Sequence, residues 1–328
     1  TVAVPPAQLD AFLELAGRMG VLATPVGRFT DDGVLRVRHD GRVVAALHMD
    51  FLHEGLPRMD LRAVWAAPAP FPARPAASAD LGEALERLLR RWNVCSKHFL
   101  VRQYDHEVQG GSVVKPLCGV RGTGPSDAAV VRPVLGSNRA VVVAHGIAPK
   151  FADLDARAMA ASAIDEAIRN AVAVGADPDT IAGLDNFCWP DPIPSPRNAD
   201  GQHKLAQLVR TCETLHQMCV AHGVPLISGK DSMKNDYHHG ETRISIPPTL
   251  LFTALGQIPD ASRAVTMDFK RAGESVYVVG RTFEELGGSE YFGLLGEKGG
   301  VPPDARPEEQ ARLYRKLHAA IAEGLVSA

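Results

Sequence analysis

The chain has 328 residues, of which 45% are hydrophobic and 22% charged, and its formal net charge is −3. These values are typical of a soluble globular protein of two or more domains, and the charge gives no electrostatic basis for binding nucleic acid or an anionic membrane. No run approaches the roughly 18 apolar residues of a membrane span. Five scattered cysteines without a CxxC pair favour reduced thiols and a cytoplasmic location.

The N-terminal region predicts a small β module. Residues 21–50 contain apolar alternation interrupted by the turn signals Asp31-Asp32-Gly33 and Asp40-Gly41. Residues 65–80, "WAAPAPFPARPAASAD", are rich in Pro and Ala and predict a linker and a domain boundary. The chain begins without Met and ends at "AIAEGLVSA" within a continuing pattern. We therefore expect a piece of a longer polypeptide.

Helices and strands alternate from residue 81 onward. Apolar spacing predicts a helix over residues 81–92, strands near 128–132 and 139–144, and a helix over 155–173 capped by Asp153 or Asp155. The alanine-rich face of that last helix, which includes Ala160 and Ala167, would allow close packing on a sheet.

The second half continues this mixture. It predicts a strand at 181–185, a helix over 203–222 ended by Gly223, a short strand at Leu226–Ile227 and a buried strand over 249–256. Cys212 and Cys219 lie on the apolar stripe of the 203–222 helix and are interpreted as core residues. A third module begins near residue 274 with the strand "SVYVVG" and ends in a helix that starts behind a proline. The pattern favours an α+β or mixed α/β fold.

Oxygen-bearing side chains form one candidate metal site. Asp127 directly precedes a predicted strand, and Glu166 and Asn170 lie one turn apart on one face of a helix. Hard cations such as Mg²⁺ prefer such oxygen ligands, which they commonly share with phosphates. The alternative is a polar pair that faces solvent, and the spacing alone does not exclude it.

Two strand ends carry candidate ligand-binding residues. Asp185 and Asn186 follow an apolar run, and strand ends in mixed sheets are common ligand positions, although a turn before Pro190 would explain the same pair. "SGKDS", residues 228–232, has the composition of a phosphate-binding loop but lacks the GxxxxGK[ST] spacing. A plain surface turn is the alternative.

The order of six motifs resembles one enzyme family. "RQYDHEVQ", "PSDAAVVRP", "MAASAIDEAIRNAVAVGADP", "LDNFCWPDP", "GVPLISGKDSMKND" and "PPTLLFTALGQIPD" together closely resemble phosphoribosylformylglycinamidine synthase, from about residue 21 onward. That family belongs to the aminoimidazole ribonucleotide synthetase-like superfamily, whose synthetase portion has two A domains and two B domains in a pseudo-dimer.

The resemblance implies a domain organisation. Residues 1–64 would be the tail of the first B domain and residues 65–94 a linker and helix. Residues 95–257 would be the second A domain, and residues 258–328 the truncated start of the second B domain.

The resemblance also implies the reaction and the site. ATP, Mg²⁺ and glutamine would convert formylglycinamide ribonucleotide to formylglycinamidine ribonucleotide, with glutamate, ADP and phosphate as the other products. Matching family positions would make four residues metal ligands, namely Asp127, Glu166, Asn170 and Asp231. Six others would contact nucleotide or substrate, namely Ser126, Asp185, Asn186, Gly229, Lys230 and Ser232. The first three metal ligands would belong to an auxiliary nucleotide site, and residues 229–232 to the functional site.

Several parts of the family machinery are absent from the chain. The family's catalytic His belongs to the first A domain, and its glutaminase Cys nucleophile matches none of the five cysteines here. The resemblance thus implies an amidotransferase ligase whose partners are the remaining synthetase domains and a glutaminase, with this piece inactive alone and able to form a homodimer through an exposed barrel edge. The alternatives are another ATP- and Mg²⁺-dependent superfamily member, such as a thiamine monophosphate kinase, and a non-catalytic nucleotide-binding scaffold.

Overall fold

The computed structural model describes residues 1–67, 78 and 80–328 and divides the chain into two units, Thr1–Asp60 and Leu61–Ala328. The predicted linker at residues 65–80 lies mostly outside the described residues. The predicted domain boundaries after residues 64, 94 and 257 stay predictions.

The first unit is built on a β-hairpin. Its elements are α1 (Leu9–Arg18), β1 (Val34–His39), β2 (Arg42–His48) and α2 (Met49–Glu54). Asp40 and Gly41 join the strands with φ values of 48° and 76°, as a two-residue type I′ turn requires. Within Thr1–Asp60, Ala16 is the one apolar residue that is buried. This unit therefore has no hydrophobic core of its own.

The second unit holds a longer series of elements. Its helices and strands are, in chain order, α3 (Leu81–Leu89), α4 (His98–Val101), β3 (Ser112–Val114), β4 (Leu117–Cys118), β5 (Gly124–Pro125), β6 (Ala129–Val131), β7 (Ala140–Ile147), α5 (Ala156–Ala173), β8 (Ala182–Cys188), α6 (Gly201–His222), β9 (Leu226–Ser232), β10 (Tyr237–His239), β11 (Thr242–Ile244), β12 (Thr249–Ile258), α7 (Glu290–Leu294) and α8 (Pro307–Ala322). Among the described residues, no helix combines the length and hydropathy needed to cross a bilayer.

A mixed sheet organises the second unit. In the described residues it has six strands in the order β3-β6-β7-β12-β8-β9, antiparallel throughout except for the parallel pair β8–β9. Alternate residues of β12, such as Leu250 and Phe252, are fully buried on one side of the sheet. We call this side the helix face, because α5 packs on it, and the half-exposed opposite side the open face. The prediction of a mixed α/β fold is confirmed.

The alanine-rich face of α5 packs tightly on the sheet, as predicted. A Cβ on Gly146 of β7 would lie 1.9 Å from the carbonyl oxygen of Ala163, so only glycine permits this approach. Asp155 caps the helix by accepting a hydrogen bond from the Arg157 amide at 2.8 Å. The helix and its cap therefore agree with the sequence pattern.

The packing of α6 differs from the predicted stripe. Gly223 ends the helix in the left-handed conformation, as predicted, but the buried face carries polar residues such as Gln207 and Thr211. Cys212 is exposed, and Cys219 is half-buried with its thiol pKa raised to about 11 by burial. The face of α6 that packs on α5 contains these polar residues, and Cys212 does not lie on it. The interpretation of Cys212 as a core residue is therefore wrong.

Two other apolar segments that the sequence predicts to be buried are exposed. Leu81, Leu85 and Leu89 of α3 are each more than half exposed, although the predicted stripe would bury them. The predicted strand "SVYVVG" has no strand geometry, and its residues Val276–Val279 are exposed. A strand needs a neighbour to satisfy its backbone hydrogen bonds, and no neighbouring strand lies beside this segment in the described residues.

Polar contacts fix the segments around α6. Trp65 stacks on His203 with ring centroids 5.0 Å apart, and the Arg210 guanidinium lies 4.1 Å from the centre of its ring. Arg243 of β11 donates to Asp236 at 2.7 Å and to the buried Asn198 at 2.8 Å. These contacts hold the start of the unit and the loop after β8 in place.

Candidate functional site

Several chain segments with polar side chains meet at one edge of the sheet. Strands β7, β8 and β9 run in the same direction, so their C-terminal ends lie at the same edge. Strands β6 and β12 are antiparallel to β7, and their N-terminal ends lie at that edge too. Ligands of open α/β sheets commonly bind outside the C-terminal ends of strands.

Glu166 and Asn170 each use one of their two side-chain polar atoms to hydrogen-bond the backbone at the end of β7. Glu166 Oε2 accepts a hydrogen bond from the Ile147 amide at 2.9 Å, and Asn170 Nδ2 donates to the His145 carbonyl at 3.1 Å. Neither Glu166 Oε1 nor Asn170 Oδ1 makes a hydrogen bond within the described residues. These two oxygens are therefore available for a ligand.

Asp127 completes this group from the neighbouring strand. It precedes β6 by two residues, in a bend at the same edge of the sheet, where the charge of Arg169 of α5 acts on it. Burial raises the pKa of its half-buried carboxyl, which the positive charge of Arg169 partly offsets. Asp127 makes no hydrogen bond or ion pair with any described residue. We call Asp127, Glu166 and Asn170 the β7-end cluster.

The donors of the β7-end cluster fit a hard divalent cation. Nowhere in the described part of the chain do three or more His, Cys, Asp or Glu side chains gather as a ready metal site. The cluster supplies two carboxylates and one carboxamide, all oxygen donors. Mg²⁺ typically takes only one or two protein carboxylates and completes its shell with water and phosphate oxygens. This donor set suits Mg²⁺ bound together with a phosphate.

Asp231 lies elsewhere at the same edge. Strands β12 and β8 separate β9 from β7, so Asp231 is three strand spacings, roughly 14 Å, from the end of β7. Ligands of one ion lie within a few ångströms of it. Asp231 therefore cannot share an ion with the β7-end cluster, and any metal it binds belongs to a second site.

The "SGKDS" segment is a strand and not the predicted loop. Strand β9 continues through Ser232 because it pairs in parallel with β8, with Asp185 opposite Gly229 and Asn186 opposite Lys230. Paired residues of neighbouring strands point to the same side of a sheet. Asp185, Gly229 and Asp231 thus lie on the helix face, and Asn186, Lys230 and Ser232 on the open face.

The helix-face residues form a tight carboxylate contact. A Cβ on Gly229 would lie 2.3 Å from Asp185 Oδ1, so the absence of a side chain leaves room for that carboxylate. Burial and the nearby negative charge of Asp231 together raise the pKa of Asp185. Asp185 and Asn186 therefore point to opposite faces of the sheet, and their predicted contacts with nucleotide or substrate stay predictions.

The predicted phosphate contacts differ in whether their side chains already have a hydrogen-bond partner. Lys230 is exposed and makes no hydrogen bond or ion pair with the described residues. Ser232 Oγ donates to Asn235 Oδ1 at 3.0 Å, which fixes its orientation. Ser126, predicted to contact nucleotide, donates its hydroxyl to the Lys115 carbonyl at 2.6 Å. Lys230 is thus the most available of the predicted phosphate contacts.

Sequence reasoning missed the charged residues that surround the β7-end cluster. Asp165 is buried and accepts a hydrogen bond from Tyr314 of α8 at 2.6 Å. Arg169 lies one turn further along α5, with its guanidinium 3.8 Å from Asp165 Oδ2. The spacing of Asp165 and Arg169 could have indicated the pair, but no local pattern connects Asp165 to a residue of α8.

Comparison with known proteins defines the class of this domain. Residues 125–258, which span β6 to β12 and the whole candidate site apart from its surroundings in α8, match the family "AIR synthase related protein, N-terminal domain". This part of the chain is therefore similar to the domain that the family model describes.

Matches along nearly the whole chain give more specific relatives. The chain is 32% identical over 98% of its length to phosphoribosylformylglycinamidine synthase subunit PurL of Thermomicrobium roseum and covers 42% of that protein. The resemblance stated from the motifs is confirmed, and the chain spans about two fifths of the length of such relatives.

Solved structures share the fold. The structure of PurLQS from Thermotoga maritima aligns with a TM-score of 0.56 at 23% identity, over 80% of this chain and 38% of that one. T. maritima PurL complexed with ADP aligns with a TM-score of 0.52, also at 23% identity, over the same shares of the two chains.

Proposed function

We propose that the chain is part of a synthetase that converts formylglycinamide ribonucleotide, glutamine and ATP to formylglycinamidine ribonucleotide, glutamate, ADP and phosphate in purine biosynthesis in the cytoplasm. Homology to PurL along nearly the whole chain supports this ligase reaction. The remaining synthetase domains and a glutaminase would be its partners, and the chain would be inactive without them.

The β7-end cluster carries the proposal for the chain itself. Asp127, Glu166 and Asn170 would hold Mg²⁺ and, through it, the phosphates of ATP or ADP. The ion would neutralise phosphate charge, which is the main contribution that a protein-bound cation makes in phosphoryl chemistry. The supporting observation is that Glu166 and Asn170 at the end of β7, and the half-buried Asp127 before β6 at the same edge of the sheet, all retain oxygens without a hydrogen-bond partner among the described residues.

The β9 edge would contribute to a second ligand position. Lys230 and Ser232, with Asn186 beside them, would face phosphate or substrate groups held mainly by the missing synthetase domains. Asp231 and Asp185 lie on the opposite face, so a role for Asp231 in metal binding would need an ion on the helix side of β9. The geometry favours Lys230 as the first contact for phosphate.

Calorimetric titration of the chain with Mg-ADP tests the nucleotide site. We expect saturable heat and a rise in the thermal midpoint, because a ligand that binds only the folded state stabilises it. Asp127→Ala and Glu166→Ala should abolish both effects. Glu213→Gln is the matched control, because Glu213 is an exposed acid that pairs with Arg157 away from the cluster.

Two results would contradict the proposal. Absence of heat and of any thermal shift at millimolar Mg-ADP would favour a non-catalytic scaffold. Binding that survives both alanine substitutions would show that the nucleotide lies elsewhere.

A further inference from the structure

Lys115 lies at the same edge of the sheet as the β7-end cluster. Strand β3 is antiparallel to β6, and β6 is antiparallel to β7, so β3 and β7 run in the same direction. Lys115 directly follows β3. The chain at Lys115 therefore leaves the sheet at the edge where β7 ends and β6 begins.

A hydrogen bond places the backbone of Lys115 next to the residue that precedes Asp127. The Ser126 hydroxyl donates to the Lys115 carbonyl at 2.6 Å, and Asp127 follows Ser126 in the chain. This bond uses the single hydroxyl proton of Ser126, so Ser126 has no donor left for a phosphate oxygen. A phosphate bound through a cation at Asp127 must therefore accept its hydrogen bonds from another side chain.

The Lys115 ammonium retains donors for such a phosphate. Lys115 Nζ is 3.0 Å from Glu107 Oε1, and among the described residues the ammonium makes no other hydrogen bond or ion pair. An ammonium group carries more N–H donors than this one contact uses. The Lys115 side chain is 46% exposed. A ligand can therefore reach the ammonium while the contact with Glu107 remains.

The charge of the site also favours a phosphate contact from Lys115. The carboxylates of Asp127 and Glu166 offset the charge of a divalent cation, so the cation alone leaves the phosphates of a nucleotide unneutralised. A lysine binds phosphate as a point charge and does not require the planar geometry of an arginine pair. Lys115 can therefore supply the missing positive charge from the neighbouring strand end.

We propose that Lys115 binds a phosphate oxygen of the nucleotide whose cation the β7-end cluster holds. This inference rests on the metal site of the proposed function and adds a phosphate-binding side chain to it. The ligand is a nucleoside di- or triphosphate with its divalent cation.

Calorimetric titration with Mg-ADP tests the contact. Lys115→Gln should raise the Kd roughly fivefold to twentyfold, the range expected for the loss of one charge-assisted hydrogen bond at a part-exposed site. Lys115→Arg keeps the charge and should bind within about threefold of the unsubstituted chain. Lys316→Gln is the matched control, because Lys316 is an exposed lysine of α8 whose neighbour Arg315 pairs with Asp179, before β8 at the opposite edge of the sheet.

Two further measurements separate a phosphate contact from a general effect of charge. Mn²⁺ titration followed by electron paramagnetic resonance, without nucleotide, should show equal or tighter binding in Lys115→Gln, because loss of a positive charge does not weaken cation binding. Glu107→Gln should tighten Mg-ADP binding, because Glu107 competes with the phosphate for the same ammonium. In the Lys115→Gln background, Glu107→Gln should lose most of this gain.

The fold should be the same in these variants. An exposed ion pair such as Lys115–Glu107 contributes little to stability, so the thermal midpoints without ligand should not change measurably. A lower Mg-ADP affinity in Lys115→Gln is then a loss of ligand contact.

The outcomes distinguish this contact from the metal site. Equal Mg-ADP affinity in Lys115→Gln and Lys316→Gln, whether both match the unsubstituted chain or both bind more weakly, overturns the Lys115 contact. If Asp127→Ala still abolishes binding in that case, the proposed nucleotide site stands. Binding that survives Asp127→Ala and weakens in Lys115→Gln keeps the lysine contact and overturns the metal site. Absence of Mg-ADP binding in the unsubstituted chain overturns both.

Discussion

At the scale of single residues, Gly229 shows how a missing side chain shapes the site. Its Cβ position is 2.3 Å from Asp185 Oδ1, so strand β9 approaches β8 closely only because residue 229 is glycine. The pairing of Gly229 with Asp185 places both on the helix face, and alternation along β9 places Lys230, the next residue, on the open face.

Gly229→Ala should therefore destabilise the second unit. The new methyl group must displace the Asp185 carboxylate or push β9 outward, at a cost of about 1–3 kcal/mol in the free energy of unfolding measured with urea. Gly136→Ala is the control, because its Cβ would meet no atom within 4 Å. An equal loss in an Asp185→Ala background would contradict this explanation.

Residue identities predicted much of this region, but not its geometry. "SGKDS" has the composition of a loop, since Ser, Gly and Asp all favour turns. Pairing with β8 overrides that preference and makes the segment a strand, which no local pattern can reveal. Alternation along β8 likewise places Asp185 and Asn186 on opposite faces of the sheet, which their adjacency in the sequence does not indicate.

At the scale of elements, Tyr314 of α8 packs its ring against the buried imidazole of His222. His222, at the end of α6, is 4% exposed, and its Nε2 has no hydrogen-bond partner among the described residues. Burial, aided by the charge of Arg315 and opposed by that of Glu308, lowers the pKa of His222 from 6.5 to about 4. The folded protein therefore holds His222 neutral at pH values where the unfolded chain takes up a proton.

This difference makes the stability of the unit depend on pH. The contribution from neutral His222 is complete above pH 6.5, declines as the pH falls from 6.5 to about 4, and changes no further below that. Thermal unfolding across this range should show the decline, and His222→Gln should flatten it. A decline of equal slope in His222→Gln would assign the effect to other groups.

The bounds of helices and strands were easier to predict from the sequence than the faces that they bury. Periodicity identified α5 and β12 nearly to the residue, because each has a single consistent buried face. It misplaced the buried face of α6, where Gln207 and Thr211 are buried and Cys212 is exposed. Packing against α5 and α8 decides that face, and the partner of a helix cannot be read from its own sequence.

At the scale of the whole molecule, the sheet ends in an unprotected edge. Among the described residues β9 pairs only with β8, and Leu226 and Ile227 on it are 44% and 59% exposed. Exposed edge strands with apolar side chains favour pairing with another chain. The open face beside this edge is itself half-exposed, which adds apolar surface to any such contact.

We expect the isolated chain to associate with a second copy through β9. Light scattering after size-exclusion chromatography should show a concentration-dependent dimer, and Ile227→Lys should shift it towards monomer. Val220→Lys, on an exposed position of α6, should leave the equilibrium unchanged. A monomer at all concentrations would rule out this association.

The position of β12 has a consequence for synthesis of the chain. Strands β7 and β8 never touch, and each pairs with β12, which comes last of the six in the sequence. On the ribosome, the nascent sheet lacks its central strand until residues 249–258 have emerged from the exit tunnel. Until then β7 and β8 expose apolar strands together, so this interval is the period of greatest demand for chaperones.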